Sequence, residues 1–331
     1  MFAQLDINYI KKRPWKIWPR LISYFFFEGR PITTRGRFIN PLVFSIIKFC
    51  ANLPTNNQVK PLFIVGTGRS GTTILGLILS LHKSISYLNE PKAIWHYLYP
   101  NEDVIGNYTM NNGDFIINSD VVNSNIKKRA RRIYSNYLKF AGGKVVLDKY
   151  PELIFRTEFV SEIFDDSKFI FITRNGYDTL KSISNWSKRL GQTKNEKNYN
   201  WWGVDGKKWS HICNELVPQS SLLKEKHEDI FSLKSNIDKA AVEWIVTMEY
   251  GLKLLRKSQG NILHVRYEEL LENPELTLRS IMNFSNLQTD NKMDLYAKKI
   301  LKQSSKTSKV EVNHILIDPL RKISSELGYE Y

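Results

Sequence analysis

The stretch Leu62-Phe63-Ile64-Val65-Gly66-Thr67-Gly68-Arg69-Ser70-Gly71-Thr72-Thr73 decides the fold. An apolar, β-branched run at 62–65 ends at a glycine-rich turn, and a helical pattern continues from Thr72 to Leu81. That order is the one expected of a parallel strand, a loop and a crossover helix. The same theme recurs further on. Lys144 to Leu147 ends at Asp148 and Lys149, with Pro151 placed to start a helix towards Phe164. Lys168 to Thr173 ends at Arg174, and a helix is expected from about Tyr177 to Trp186. A further strand is expected at Asn261 to Val265. The alternation predicts an α/β fold, a three-layer doubly wound parallel sheet with flanking helices, in which ligands bind beyond the carboxyl ends of the strands. The residues at those ends are therefore the ones to read for chemistry.

The loop from Gly66 to Thr73 sits where glycine amides and a helix N-terminus can wrap an oxyanion. Its spacing is that of a P-loop, so the sheet is expected to be of the P-loop NTPase-like type. One position departs: Thr72 stands where ATP- and GTP-binding loops carry lysine. Without that charge reaching for a β- or γ-phosphate, nucleotide hydrolysis is disfavoured. Arg69 instead offers a planar fork suited to a phosphate or sulfate group. A glycine-rich turn with no ligand is the bland alternative.

Outside these units the pattern is less regular. Residues 1 to about 58 lack the alternation and form a helical, basic and aromatic-rich arm, joined through Thr55 to Gln58 to a domain at 59–331. From about 185 to 230 the pattern is irregular, with Trp201, Trp202 and Trp209 close together, as in a lid or acceptor-binding insertion. Helices are expected again at about Ile237 to Leu255, Leu276 to Phe284 and Asp290 to Leu301. The formal charge of +15 implies an anionic partner, and much of it lies in Lys11 to Arg37, Lys127 to Arg132 and Lys292 to Lys309. No apolar run reaches the ~18 residues of a spanning helix. Pro14, Pro19 and Glu28 interrupt the segment after Lys11 and Lys12, so a secretory signal is not expected. Cys50 and Cys213, far apart in sequence, suit a reducing cytoplasm and supply no metal cluster. A cytoplasmic protein that can also lie against the inner membrane surface through Trp15, Trp18 and Phe25 to Phe27 is the expected setting.

Four elements in order resemble the sulfotransferase family that uses 3′-phosphoadenosine 5′-phosphosulfate. The loop just described is similar to the family's 5′-phosphosulfate loop, which implies donor contacts from Arg69, Ser70, Gly71, Thr72 and Thr73. Arg174 at a strand end, with Ser182 eight residues later, resembles the pair that grips the donor's 3′-phosphate. The family more often has aspartate after that arginine, where this chain has Asn175. Asp148-Lys149-Tyr150-Pro151 is similar to the element whose lysine neutralises the leaving phosphate. Val265-Arg266-Tyr267-Glu268-Glu269-Leu270 with Asn273-Pro274 looks like the late strand-to-helix element, with Tyr267 near the adenine. The resemblance spans about residues 61 to 287.

Sulfuryl transfer needs an activated acceptor, a donor held for in-line displacement and positive charge on the oxygens that gain negative charge. Glu90 follows the apolar segment Ile85 to Leu88, and Pro91 restricts the backbone beside it. Related enzymes acting on glycans or tyrosine carry a catalytic glutamate at a similar place, so the resemblance implies Glu90 as general base, with Lys149 and Arg69 stabilising the transferring group. His82 and His96 are the alternative bases, and a salt-bridged glutamate is the bland reading of Glu90. No metal is expected, because Arg69 and Lys149 supply the charge that magnesium gives in kinases. The acceptor, a hydroxyl in preference to an amine, belongs to a glycan, a lipid or a small metabolite. The competing functions are a nucleotide kinase or NTPase, and a non-enzymatic protein binding polyanions or membrane surfaces. No nucleic-acid partner is expected, for want of a recognition motif.

Overall fold

The computed structural model describes residues 2–31, 33, 35–55, 58–110, 113–258, 260–301 and 310–330. Helices α1 (Ile7–Lys12), α2 (Ile17–Phe26) and α3 (Asn40–Asn52) precede the sheet. Strand β1 (Leu62–Gly66) leads into α4 (Thr72–Ser80), β2 (Ile85–Asn89), α5 (Lys92–Leu98), α6 (Ser124–Ala141) and β3 (Val145–Lys149). Next come α7 (Thr157–Ile163), β4 (Lys168–Thr173) and α8 (Gly176–Leu190). The short antiparallel strands β5 (Gln192–Lys194), β6 (Lys197–Asn200) and β7 (Gly203–Val204) follow, and β8 (Ile262–Arg266) comes after the long helix Asn236–Lys257.

Five strands form one parallel sheet in the order β2-β3-β1-β4-β8. Period-two alternation divides its two faces. Phe63, Val65, Phe169 and Phe171 point into one core, while Leu62, Ile64, Ile170 and Ile172 point into the other. Helices cover both cores, so the central strands β1 and β4 are almost wholly apolar and buried, as a parallel sheet buried on both faces requires, while the edge strand β8 is mostly half-buried. The expected doubly wound α/β architecture is the one observed. The helix expected after Pro151 begins as a 3₁₀ turn, Pro151–Arg156, and becomes α-helical only at Thr157.

The pairing register aligns the strand ends. Asn89 lies opposite Lys149, Gly66 opposite Ile172, and Thr173 opposite Arg266. Glu90, Thr67 to Gly71, Lys149, Arg174 and Tyr267 therefore emerge along a single edge. Chain order reverses around β1, which sits between β3 and β4, and the glycine loop opens at that switch.

The arm is packed into this body. Val43, Ile47, Cys50 and Ala51 of α3 belong to the larger core. Much of the arm's positive charge also turns inward: Arg13, Lys16, Arg20 and Arg30 are all buried. Arg13 makes a bidentate pair with Asp290 at 2.8 and 2.9 Å, and Arg20 another with Glu28 at 2.5 and 3.0 Å. Lys16 donates to the Ile85 carbonyl, and burial lowers its pKa to about 7. The second basic run is a solvated helix face, with Lys127 paired to Glu162 and Arg131 to Asp165. Of the third, residues 302–309 lie outside the described residues.

Candidate active site

The glycine loop is shaped by what presses on it. Gly71 has φ +94°, and a Cβ there would lie 2.3 Å from the Tyr267 ring. A Cβ on Gly68 would lie 2.5 Å from the Trp201 indole. Glycine is therefore needed at Gly71 for both conformation and space, and at Gly68 for space alone. Ser70 turns inward, its Oγ donating to the Thr67 carbonyl at 2.5 Å. Thr67 Oγ1 is buried without a hydrogen-bond partner.

Beside the loop, Arg69 Nε donates to Ser182 Oγ at 3.0 Å, and Arg174 Nη1 donates to the Arg69 carbonyl at 3.3 Å. Asn175 accepts from the Asp178 amide and caps α8, which carries Ser182; capping suits asparagine as well as aspartate. The Arg174 guanidinium lies 5.0 Å from the Tyr267 ring centroid, and its Nε is buried without a partner. Burial, and then the charges of Arg174 and Arg189, pull the Arg69 pKa below its ordinary value. Cations and an orphaned buried donor gathered at a glycine loop are what a multiply charged anion would satisfy.

Across the edge, Glu90 takes a left-handed conformation at φ +50°. Its amide donates to the Lys149 carbonyl at 2.7 Å, and its carbonyl accepts from the Lys92 amide at 2.7 Å. A non-glycine residue held there stores about 1–3 kcal/mol, and such residues cluster at functional sites. Lys149 Nζ donates to Glu90 Oε1 at 2.5 Å. The Glu90 side chain is 40% exposed and that of Lys149 only 1%, so the carboxylate faces the cavity with the ammonium behind it. Burial pushes the Glu90 carboxyl up, but Lys149, Lys92 and Lys208 outweigh it and hold the group at about 2. Asp148 points to the opposite face, as strand alternation requires, and accepts from Trp95 at 2.9 Å and Tyr134 at 2.5 Å. Burial pushes its carboxyl up to about 7.

Both regions open on one cavity of about 440 Å³, lined in part by Gly68, Arg69, Thr72, Thr73 and Glu90. Apart from Trp201, its other walls are residues that sequence reasoning did not single out. The arm contributes Tyr24, Glu28 and Arg30, and α5 contributes Lys92. Trp186, Tyr199, Trp201 and Lys208 line it as well. Of the three neighbouring tryptophans only Trp201 lines the cavity. Its Nε1 donates to Glu243 at 2.6 Å, and Lys208 Nζ sits 4.7 Å from its ring centroid. Trp202 and Trp209 are buried, packed edge to face at 5.8 Å. The alternative bases lie elsewhere. His82 Nε2 is 3.0 Å from the Gln288 carbonyl, and His96 is held between the rings of Phe44 and Tyr108. Neither lines the cavity. Among the described residues, no three His, Cys, Asp or Glu side chains gather as a metal site would require.

Comparison with known proteins places the chain in a family context. A family model described as "Sulfotransferase domain" matches residues 60–326. No curated protein matches the chain. Among solved structures, the sulfotransferase domain of the Synechococcus PCC 7002 olefin synthase is 14% identical, with a TM-score of 0.49, covering 84% of this chain and 98% of that one. The sulfotransferase STF9 from Mycobacterium avium is 14% identical at a TM-score of 0.47, covering 98% of this chain and 91% of that one. The sulfotransferase domain from the curacin biosynthetic pathway is also 14% identical, with a TM-score of 0.46 and coverage of 83% and 99%.

Proposed function

Since this chain belongs to the sulfotransferase family and is an enzyme of that class, we propose that its donor is 3′-phosphoadenosine 5′-phosphosulfate and that Glu90 is the base that activates an acceptor hydroxyl. The carrying observation is Glu90, held from behind by Lys149 and facing the same cavity as a glycine loop lacking the nucleotidase lysine. Thr67 to Thr73 would hold the 5′-phosphosulfate, and Arg174 with Ser182 the 3′-phosphate. Tyr267, packed on Gly71 and Arg174, would flank the nucleotide.

In the reaction the acceptor oxygen attacks sulfur as its proton passes to a Glu90 oxygen. The bond between sulfur and the bridging phosphate oxygen breaks, and 3′-phosphoadenosine 5′-phosphate leaves with the electron pair. Lys149 has a role on each side of this step. While it is bound to Glu90 it keeps that carboxylate a weak base. Transferred to the bridging oxygen, it neutralises the leaving group and frees Glu90 to accept a proton. Arg69 adds charge at the transferring group, and these cations do the work assigned to metal in phosphoryl transfer.

The test is a titration of 3′-phosphoadenosine 5′-phosphate against adenosine 5′-phosphate, which lacks the 3′-phosphate. Arg174→Ala should weaken the bisphosphate by about 10- to 100-fold and the monophosphate little, as expected for a lost charge-assisted contact. Equal losses for both, or tighter binding of ATP than of the bisphosphate, would sink the assignment.

The membrane contact rests on a separate observation. Along the segment 13–26, Arg13, Lys16, Arg20 and Ser23 face inward, whereas Trp15, Trp18, Phe25 and Phe26 are exposed. An apolar outer face beside Lys11 and Lys12 suits the interface of an anionic bilayer. No described helix is long and apolar enough to cross a membrane. Sedimentation with phosphatidylglycerol vesicles should fall on replacing Trp15 and Trp18 by serine; unchanged sedimentation would remove this reading.

A further inference from the structure

The cavity's cations differ in how they are balanced. Lys149 is paired with Glu90, Lys208 lies 2.6 Å from Glu243, and Lys92 lies 3.8 Å from Glu152. Among the described residues, two lining cations have no carboxylate within ion-pair distance. One is Arg69, in the glycine loop. The other is Arg30, contributed by the arm.

Arg30 is held in place through both backbone and side chain. Its amide donates to Asn40 Oδ1 at 2.8 Å, and its carbonyl accepts from Asn40 Nδ2 at 3.0 Å. The guanidinium carbon stacks 3.6 Å from the Tyr24 ring centroid, and Nη1 donates to the Gly29 carbonyl at 2.8 Å. Nη2 is buried with no hydrogen-bond partner, and the whole residue is only 4% exposed. Glu28, two residues earlier, acts on Arg30 through space but lies beyond ion-pair distance and makes no bond to it: it is bidentate with Arg20, and its Oε1 also accepts from the Asn89 amide at 2.8 Å. A buried guanidinium with an unused donor and no carboxylate is costly unless a ligand completes it.

We infer that Arg30 is an acceptor-binding residue that selects acceptors carrying an oxyanion, a carboxylate or an ester of sulfate or phosphate, on the molecule whose hydroxyl reaches Glu90. The planar fork matches such groups, and its fixed position on Tyr24 lowers the ordering cost of engaging them. This rests on the reading of the cavity as a sulfuryl-transfer site. Arg69 would meet the anion of the donor, and Arg30 that of the acceptor.

The experiment uses ligands that share one ring and differ in one substituent: 4-nitrophenyl β-D-glucoside, the matching glucuronide, and the glucoside 6-sulfate and 6-phosphate. Each is titrated calorimetrically into the full chain, with and without 3′-phosphoadenosine 5′-phosphate. At least one anionic member should bind about 10- to 100-fold tighter than the neutral glucoside, the range of a charge-assisted contact. Arg30→Gln should erase that preference, and Arg30→Lys should restore part of it. A role confined to holding the arm on Tyr24 would lower thermal stability in both variants and leave the preference intact, overturning the inference. So would equal binding of all four ligands, or binding of none. Loss of bisphosphate binding would instead defeat the donor reading, and the titrations without nucleotide would still decide the case of Arg30.

Discussion

The two ends of the cavity are built on different principles. At the donor end, each proposed contact either lies within a few residues of a strand terminus or, like Ser182, sits on the helix that follows one, and the ladder register of the sheet sets the spacing. At the acceptor end, Arg30 comes from the arm while Trp201 and Lys208 come from one short stretch of the insertion far along the chain, and particular side-chain contacts fix each of them. Arg30 is fixed by Asn40 and Tyr24, Trp201 by Glu243, and Lys208 by Glu243. A sheet edge positions ligand groups by repetition, whereas the rest of the wall depends on particular partners. The donor end should therefore tolerate changes in the wall, and the wall should be altered without loss of the donor.

The strongest way to break that separation is Glu90→Gln. Turnover should drop by something like the ~100- to 10,000-fold typical of a lost general base, with affinity for 3′-phosphoadenosine 5′-phosphate unchanged. A parallel fall in nucleotide affinity, measured by calorimetry, would show that the two ends act as one.

Lys149→Met should cost about 100- to 1,000-fold in kcat, as for other groups that stabilise developing charge. It should also move the pH profile. In the wild-type free enzyme Glu90 is held at about 2, so it is ionised above that pH and contributes no acid limb to kcat/KM between mildly acid and neutral pH. Removing Lys149 deletes a large lowering influence, so the acid limb should move upward. A profile that stays flat in the variant would mean that Lys149 does not control this carboxylate.

Gly68→Ala probes the place where the two ends touch. The new methyl would meet the Trp201 ring at 2.5 Å, so the indole must shift. A strain of about 1–3 kcal/mol is typical of such overpacking. The expected result is an acceptor KM raised by roughly tenfold, with smaller changes in nucleotide affinity. Equal changes in both would blur the distinction.

The same contrast explains what could be read from sequence. Strand periodicity and the loop at 66–73 define the sheet, its two cores and the residues at its edge. The eight-residue spacing of Arg174 and Ser182 places both beside Arg69, and strand alternation correctly separates Lys149 from Asp148. The rest of the wall was hidden. Nothing local marks Arg30 among the arm's basic residues, several of which are structural cations. Trp201, Trp202 and Trp209 look equivalent in sequence, and only the contact with Gly68 assigns the first to the cavity. Lys92 carried a usable signal, two residues after Glu90 and just beyond Pro91. Lys208 carried none.

The Arg20–Glu28–Asn89 connection has a practical consequence for where this protein can be cut. The matched family region starts at residue 60, yet the folded unit reaches further back: Glu28 ties off the end of β2 next to Glu90, and Arg13 neutralises Asp290 far along the chain. A polypeptide starting at residue 60 would expose the Asn89 amide, strand the buried Asp290 carboxylate and open one side of the cavity. Sequence homology and mechanical integrity have different left-hand boundaries in this molecule, and the second is the one that a truncation has to respect.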